Sequence, residues 1–377
     1  MKQQHKQGSG RENMQDNAHI LQDQVQQAIT EQQPLSIRGG NSKAFYGFTV
    51  QGNVLDTTGH SGIIEYEPTE LVLRARAGTP LSEIEALLEQ HQQMLGCEPP
   101  YFSPKATLGG VVAAGLSGPS RPYRASIQDT VLGCTILNGQ AQILGFGGKV
   151  MKNVAGYDVS RLMAGSMGCL GIILDVTLKV IPSSKAEKTF VFSIEPEQSL
   201  AFINDLRKRG LPLSASCQLS EQLMVRFSAG IKEIAGLENR LTEHYSFIDW
   251  IESDDQAFWD NLREHKLPFF DQASTLWRLS LPADADISAL ADNPEDVLTE
   301  WGGCLHWLKT TKPAGKIFKH AAANNGQATL FRYPLKEPPV SIFQPLEPPL
   351  AQWHKTLKAA FDPLSIFNPG KMYAKTE

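Results

Sequence analysis

The segment Arg38-Gly39-Gly40-Asn41-Ser42 follows a short alternating run at residues 35–37 that is typical of a β-strand. Successive backbone N–H groups in a glycine turn form a concave surface that binds anions such as a diphosphate, and Asn and Ser side chains can add donors. The segment is therefore a candidate phosphate-binding loop. An ordinary loop between a strand and a helix is the alternative interpretation, because one pair of glycines is a weak signal.

Three further glycine-rich segments occupy residues 107–115, 147–158 and 165–173. Fourteen of the 31 glycines lie between Gly96 and Gly171, among short strand-like runs. Short strands joined by glycine loops suit a fold in which the backbone approaches a ligand closely. Residues 107–115 could present a helix N-terminus to a phosphate or a flavin, or form a tightly packed buried helix. Residues 165–173 place glycines directly before an apolar strand.

The composition excludes several classes of protein. The 377 residues are 41 % hydrophobic and 20 % charged, which is typical of a globular protein of two or three domains. A net charge of −5 without a basic tract argues against nucleic-acid binding and against a polybasic membrane anchor. Five scattered cysteines without a C-x-x-C motif favour neither disulfides nor a zinc or iron–sulfur site, so we expect a cytoplasmic protein. No apolar run is long enough for direct membrane insertion.

Two common nucleotide-binding motifs are absent from the sequence. No G-x-G-x-x-G follows a strand, and the nearest pattern, at residues 145–150, lacks the last glycine. The Gly-Lys pairs are followed by Val150, Ile317 or Met372 rather than Ser or Thr, so there is no P-loop. A dinucleotide, if one binds, does not use a Rossmann turn.

The sequence divides into five segments. Residues 1–16 form a polar tail, 17–183 a glycine-rich first domain, 185–335 a second domain, 336–349 a proline-rich linker, and 350–377 a C-terminal segment. The last segment begins with a helix predicted from about Pro349 to Phe361. In the second domain we expect helices at 198–209, 219–225, 232–244 and 255–265, and strands at 188–194, 247–252, 275–281 and 326–333. This mixture predicts an α+β domain.

In this order and spacing, the glycine-rich segments resemble the flavin-binding domain of the vanillyl-alcohol oxidase family, also called the p-cresol methylhydroxylase (PCMH) type. The resemblance covers residues 17–183 and 349–373. It implies an α+β fold with a PCMH-type FAD-binding domain of two α+β subdomains, a second α+β domain, and a C-terminal helix that returns to the FAD domain. It also implies the cofactor-binding residues Arg38, Gly39, Gly40, Asn41, Ser42, Thr107, Leu108, Gly109, Gly110, Ala114, Gly118, Asp129, Lys152, Asp158, Gly168, Gly171, Ile172, Ile173 and Asn368.

Residues 98–100, 117–122, 146–163 and 328–332 resemble FAD-binding subunits of the bacterial glycolate oxidase type. That resemblance implies oxidation of glycolate, or of another D-2-hydroxy acid, by hydride transfer from C2 to the flavin. It implies two partners, a larger catalytic flavoprotein subunit and an iron–sulfur subunit, through which the chain would reach the inner face of the membrane. Two alternatives stay open: a free-standing FAD-dependent oxidase or dehydrogenase, and a non-catalytic scaffold subunit.

The sequence also departs from these relatives. It lacks the H-x-G-D-G-N-x-H motif with which larger relatives hold a metal, so we expect no metal site and little activity from the chain alone. The first loop has no histidine for covalent attachment, so FAD should bind non-covalently. Arg121, Tyr123 and Arg124 are candidate contacts for a substrate carboxylate, or else loop charges that meet a partner. His306 and His320 are the remaining candidates for a general base.

Overall fold

The structure is a computed structural model that describes residues 16–148, 158–253, 255, 257–270, 275–334 and 341–373. Most of the predicted N-terminal tail and the candidate residue Lys152 lie outside these ranges. The described residues form two sheet-based parts that follow one another along the chain. The C-terminal segment then returns to the first part.

The first part contains a parallel pair of strands and a five-stranded antiparallel sheet in the order β3-β4-β8-β6-β7. Its strands are β1 (Leu35–Arg38), β2 (Asn53–Asp56), β3 (Ile63–Glu67), β4 (Val72–Arg76), β5 (Gln93–Met94), β6 (Val131–Leu137), β7 (Ile143–Gly147), β8 (Ile172–Lys179) and β9 (Ile181–Pro182). Its helices are α1 (Ala18–Glu31), α2 (Leu81–Gln90), α3 (Leu108–Ala114), α4 (Ile127–Thr130) and α5 (Val159–Met163).

Two cores divide the first part into subdomains. Leu21 and Val25 lie on one face of α1, and they pack with Leu35 of β1 and Leu55 of β2. The second core joins α2 and α3 to the five-stranded sheet. Strand β8 is buried along almost its whole length and contributes to both cores, which explains why its first three residues, 172–174, are all apolar.

The second part is an eight-stranded antiparallel sheet in the order β13-β10-β12-β11-β15-β16-β14-β17. Its strands are β10 (Ala186–Ser193), β11 (Leu213–Leu219), β12 (Gln222–Ala229), β13 (Trp250–Glu252), β14 (Leu276–Ser280), β15 (Val297–Glu300), β16 (Leu305–Lys309) and β17 (Gln327–Arg332). Its helices are α6 (Pro196–Lys208), α7 (Ile231–Ala235), α8 (Leu237–Tyr245), α9 (Phe258–Arg263) and α10 (Ala314–Ala323), and α11 (Pro348–Phe361) follows.

The two faces of this sheet have different partners. Trp307 and Phe331 belong to a core that includes Leu116 and Phe45 of the first part. Leu308, next to Trp307, packs instead with α10 on the far face. Because side chains alternate along a strand, the sheet buries one face against the first part and the other against helices.

The helix predicted at residues 219–225 is wrong, because strands β11 and β12 form a hairpin there. Ser220 adopts a left-handed conformation with φ of 49° in the turn. Residues 223–227 are buried on both faces of the sheet and are apolar except for Arg226, so they lack the alternation of a half-buried strand and fit a helix as well. Strands β11, β12, β15 and β16 and helix α10 were not predicted.

Two buried polar side chains fix the C-terminal segment: Asp362 holds its internal turn, and Asn368 joins it to the first part. Asp362 is fully buried; its carboxylate accepts hydrogen bonds from the backbone N–H groups of Ile366 (3.1 Å) and Phe367 (2.8 Å) and from Lys358 Nζ (2.6 Å). Asn368 accepts a bond from Ile37 N (2.8 Å) through Oδ1, and its Nδ2 donates to the Met167 carbonyl (2.7 Å). The segment therefore fixes the position of β1, directly before the candidate loop.

Replacement of Asp362 by alanine should lower the free energy of unfolding by about 2–4 kcal/mol, because two backbone donors and one ammonium group lose their acceptor. Urea denaturation followed by circular dichroism measures the change. The matched control is Asp23→Ala on the exposed side of α1, which should change stability by less than about 0.5 kcal/mol. Equal stability of the two variants would contradict the role of Asp362.

Candidate functional site

A groove of about 120 Å³ lies where the loop after β1, the start of α3 and the C-terminal segment meet. It is lined by Ile37, Arg38, Gly39, Gly40, Asn41, Ser42, Lys43, Ala44, Tyr46, Thr107, Gly110, Ala113, Ala114, Met167, Asn368 and Lys371. Nine of these are predicted cofactor-binding residues: Arg38, Gly39, Gly40, Asn41, Ser42, Thr107, Gly110, Ala114 and Asn368. Folding thus brings together three segments that are far apart in sequence.

The loop at residues 38–42 presents free backbone donors. Within the described parts of the chain, the N–H groups of residues 39–42 donate to no protein acceptor. Asn41 has a φ of 55°, a left-handed conformation that turns successive N–H groups toward one point. The carbonyl of Arg38 accepts bonds from the Thr57 backbone N–H (2.8 Å) and hydroxyl (3.1 Å), so it is turned away from the groove. The loop can therefore bind an anion through its backbone.

The two loop glycines are required because the loop closely approaches residues 105–107 of the same chain. A Cβ atom on Gly40 would lie 1.4 Å from the carbonyl oxygen of Lys105, and one on Gly39 would lie 2.4 Å from Thr107 Oγ1. The loop is thus pressed against the segment that leads into α3. A side chain at either position would displace the donors rather than occupy the ligand's place.

Three cationic side chains line the groove: Arg38, Lys43 and Lys371. Burial lowers the pKa of Lys43 to about 8, an effect that the charge of Glu264 partly opposes. Burial also lowers the pKa of Lys371 to about 8. Lys43 Nζ donates to the Tyr101 carbonyl (3.3 Å) and Lys371 Nζ to the Ala44 carbonyl (3.4 Å). An anion in the groove would therefore meet two amines that are largely free of carboxylate partners.

The residues around α3 divide between the groove and the core. Thr107 caps the helix, since its Oγ1 accepts a bond from Gly110 N (3.4 Å), and both residues line the groove. Leu108 is fully buried in the core, and the Gly109 N–H donates to the Ala77 carbonyl (2.7 Å). Gly109 is thus needed for helix–sheet packing, because a Cβ there would lie 2.6 Å from the Ala77 Cβ.

The other predicted cofactor-binding residues within the described ranges do not line the groove. Gly168 packs against Asn368, and a Cβ on Gly171 would lie 3.1 Å from the Leu137 carbonyl oxygen. Ile172 and Ile173 are buried in the cores. The remaining three have local partners: Gly118 lies against the Glu98 backbone, Asp129 completes the capping box of α4, and Asp158 caps α5.

The three candidate substrate contacts lie at the boundary between the two parts. Arg124 approaches Glu98 (3.5 Å) and Glu187 (3.4 Å), so it joins the first part to β10. The Tyr123 hydroxyl shares a hydrogen bond with Ser216 of β11 (2.8 Å). The Arg121 guanidinium lies 4.5 Å from the centre of the Trp301 ring. The structure does not bring these three side chains to the groove.

Two arginines that sequence analysis missed face the first part from the second sheet. Arg278 of β14 lies 5.3 Å from the centre of the Trp301 ring, and Arg332 of β17 lies 5.3 Å from that of Phe45. Burial lowers the pKa of both guanidinium groups, which nevertheless remain charged. No carboxylate forms an ion pair with either one among the described residues. The sequence signal that could have found them is an arginine within an otherwise mainly apolar strand.

A second, much smaller cavity of about 20 Å³ lies beside Arg278. Its lining includes Glu300, whose carboxylate accepts a bond from Trp307 Nε1 (2.7 Å), and burial raises the pKa of Glu300 to about 7. It also includes His265, which stacks on the Phe270 ring and whose pKa burial holds well below its usual value. A space of this size holds about one water molecule.

The two histidines that remained as candidate bases lie away from the groove. His306 is on the far face of the second sheet, and His320 is on α10. Among the residues that the structure describes, no group of three or more His, Cys, Asp or Glu side chains is arranged to hold a metal ion.

The groove fits the diphosphate of a dinucleotide, since it offers free backbone donors, two amines and an arginine. A model of the FAD binding domain family matches residues 16–147 and thus includes the loop and α3. Alkyldihydroxyacetonephosphate synthase, a solved structure, superposes with a TM-score of 0.64 at 16 % identity, over 93 % of this chain and 75 % of that one. These findings define the class: the chain has a PCMH-type fold and an FAD-binding domain.

Two curated relatives define the family more closely. The chain is 44 % identical to the glycolate oxidase subunit GlcE of Escherichia coli K12, over 96 % of this chain and 98 % of that protein. It is 24 % identical to the glycolate oxidase subunit GlcD of Bacillus subtilis 168, over 72 % of this chain and 68 % of that one. The chain belongs to the GlcE family of FAD-binding subunits. No helix in the described ranges is both long and apolar enough to cross a bilayer.

Replacement of Gly40 by alanine should remove most of the bound FAD, because the new Cβ collides with the Lys105 carbonyl and displaces the loop donors. The ratio of flavin absorbance to protein in the purified variant measures the loss. Gly145→Ala in β7 is the matched control, since a Cβ there meets no atom within 4 Å. Flavin occupancy of Gly40→Ala equal to that of the control would contradict the assignment.

The affinity for FAD should fall as the pH rises through 8. An anion beside Lys43 and Lys371 favours their charged forms and so raises their pKa above about 8, which makes binding take up protons. We expect a decrease of about tenfold for each lysine between pH 7 and pH 9. Calorimetric titration of the apoprotein in two buffers of different ionisation enthalpy measures the uptake. Equal heats in both buffers at pH 8 would exclude the linkage.

Proposed function

We propose that this chain is the FAD-holding subunit of a glycolate oxidase complex, as its family membership suggests. The observation that carries the proposal is the groove, in which the free donors of residues 39–42 and the amines of Lys43 and Lys371 suit a diphosphate. The loop at residues 38–42 has no histidine for covalent attachment, so we expect FAD to bind non-covalently. When bound, FAD supplies a two-electron acceptor for the hydride that leaves the carbon bearing the substrate hydroxyl.

Arg332 is the group of this chain best suited to attract a hydroxy-acid carboxylate, because Arg278 lines a cavity of only about 20 Å³. The Arg332 guanidinium is charged, contacts Phe45 of the first part, and has its Nη1 buried without a hydrogen-bond partner among the described residues. An arginine can bind a carboxylate through two parallel hydrogen bonds. This role replaces the one predicted for Arg121, Tyr123 and Arg124, whose side chains have partners at the domain boundary.

The chain by itself is poorly equipped to take a proton from a substrate hydroxyl. The described lining of the groove contains no His, Asp or Glu side chain. Glu300 and His265 lie nearby, but the cavity beside them is too small for a hydroxy acid. A general base must lie within hydrogen-bond distance of the proton that it removes. We therefore assign glycolate oxidation to a complex of this chain with a larger flavoprotein subunit and an iron–sulfur subunit. We place the complex in the cytoplasm, where this chain would reach the membrane only through those partners.

Glycolate should not reduce the flavin of the purified chain, whereas dithionite should, because the cofactor is held but no base reaches the substrate. Anaerobic absorbance spectra at 450 nm measure both reactions. The same chain purified with a larger flavoprotein subunit and an iron–sulfur subunit should reduce a dye when glycolate is added.

The measurements on the isolated chain and on the complex test different parts of the proposal. Bleaching of the isolated chain by glycolate would overturn the division of labour and favour a free-standing dehydrogenase. A colourless chain that still forms an active complex would overturn the FAD-holding role and favour a scaffold. Replacement of glycolate by ethylene glycol, which lacks the carboxylate, is the control for the proposed arginine contact.

A further inference from the structure

A large cavity of about 560 Å³ lies on the far face of the eight-stranded sheet. Strands β11, β15 and β16 form its floor, α6 forms one wall, and the loop at residues 283–294 forms the other. It shares no lining residue with the groove of the FAD site. Its volume is in the range of pockets that hold small organic molecules.

The floor contains one buried polar atom that has no partner. His306 is 5 % exposed, and its Nδ1 shares a hydrogen bond with Thr299 Oγ1 (3.0 Å). Its Nε2 has no hydrogen-bond partner among the described residues. The neighbouring Trp307 packs toward the first part, so strand alternation directs His306 to the cavity. Burial lowers the pKa of His306 to about 4, against a smaller opposing effect of the Gly303 backbone, so the ring is neutral.

The other polar side chains described at the floor have hydrogen-bond partners within the protein. The Ser199 hydroxyl donates to Gln218 Oε1, and Gln218 Nε2 donates to the carbonyls of Ile194 (2.9 Å) and Ser220 (2.5 Å). The Ser216 hydroxyl pairs with Tyr123 and accepts a bond from Gly302 N (3.1 Å). A buried polar atom without a partner is costly, so His306 Nε2 is the position at which a ligand would gain most.

The charges at the rim all have one sign. Glu197, Asp284, Asp286 and Asp292 line the cavity, and its described lining contains no Lys or Arg. Asp292 is paired with Lys312 (3.1 Å), which leaves three exposed carboxylates without a cationic side chain in contact. Leu200, Ile203, Leu223, Ile287 and Val297 supply apolar walls. The cavity therefore favours a ligand with an apolar body and a positive charge, and it disfavours the anions that the groove attracts.

We propose that this cavity is a second binding site, for a small organic amine whose apolar body fills the space between α6 and the loop at residues 283–294. Its ammonium group faces the acidic rim, and a polar group on its body bonds to His306 Nε2. The site is separate from the FAD groove, and its test does not depend on the proposed function.

The probes are tryptamine, whose indole N–H can donate to His306, and indole-3-propionate, which has the same ring with a negative charge. Calorimetric titration of the FAD-loaded chain should give saturable 1:1 binding of tryptamine, at least tenfold tighter than that of indole-3-propionate. Leu200→Trp, which fills the cavity, should abolish this binding, and Ile231→Trp on exposed α7, outside the lining, should leave it unchanged.

A second pair of variants tests the two polar contacts. His306→Phe keeps the ring but removes Nε2 and should weaken tryptamine binding at least threefold. Asp284→Asn with Asp286→Asn should reduce the preference for tryptamine over indole-3-propionate. Circular dichroism and flavin content verify that each variant is folded. No saturable tryptamine binding, equal binding of the two probes, or full binding by folded Leu200→Trp would overturn the proposal.

Discussion

The convergence of unpaired backbone donors at residues 39–42 is the constraint on which the rest of the structure depends. Residues 39–42 all line one groove, and none of their four adjacent N–H groups finds an acceptor among the described residues. Backbone donors without a protein acceptor are available to an anion, so an anion could complete the loop. Its shape follows from contacts behind it: Thr57 holds the Arg38 carbonyl, and Lys105 leaves no space for a side chain on Gly40.

The C-terminal segment stabilises the same loop from the other side. Asn368 bonds to Ile37 and to the Met167 carbonyl, while Lys371 lies in the groove itself. The first of these contacts joins residues 331 positions apart in sequence, and the second joins residues 201 positions apart. The segment thus contributes both to the fold of the first part and to the charge of the groove.

The two faces of the second sheet present different side chains to their surroundings. Toward the first part it presents aromatic side chains together with Arg278 and Arg332, which make the junction apolar and positively charged. Its far face carries the helices and, between them, the acidic cavity that contains His306. Because neighbours along a strand point to opposite faces, β16 places Trp307 at the junction and His306 in the cavity.

The sequence by itself determined the local features: the loop at residues 38–42, the C-terminal helix from about Pro349 to Phe361, and the class of flavoprotein. These depend on residues close together in sequence, such as a glycine pair after a strand or helical spacing. Residues 219–225 were predicted wrongly because a strand buried on both faces has no alternation. Only the tertiary structure placed Lys43 in the groove, Arg278 and Arg332 at the junction of the two parts, and His306 on the far face of the second sheet. Burial, charge pairing and the choice of which sheet face packs against a neighbour depend on contacts between residues distant in sequence. A local sequence pattern does not contain that information.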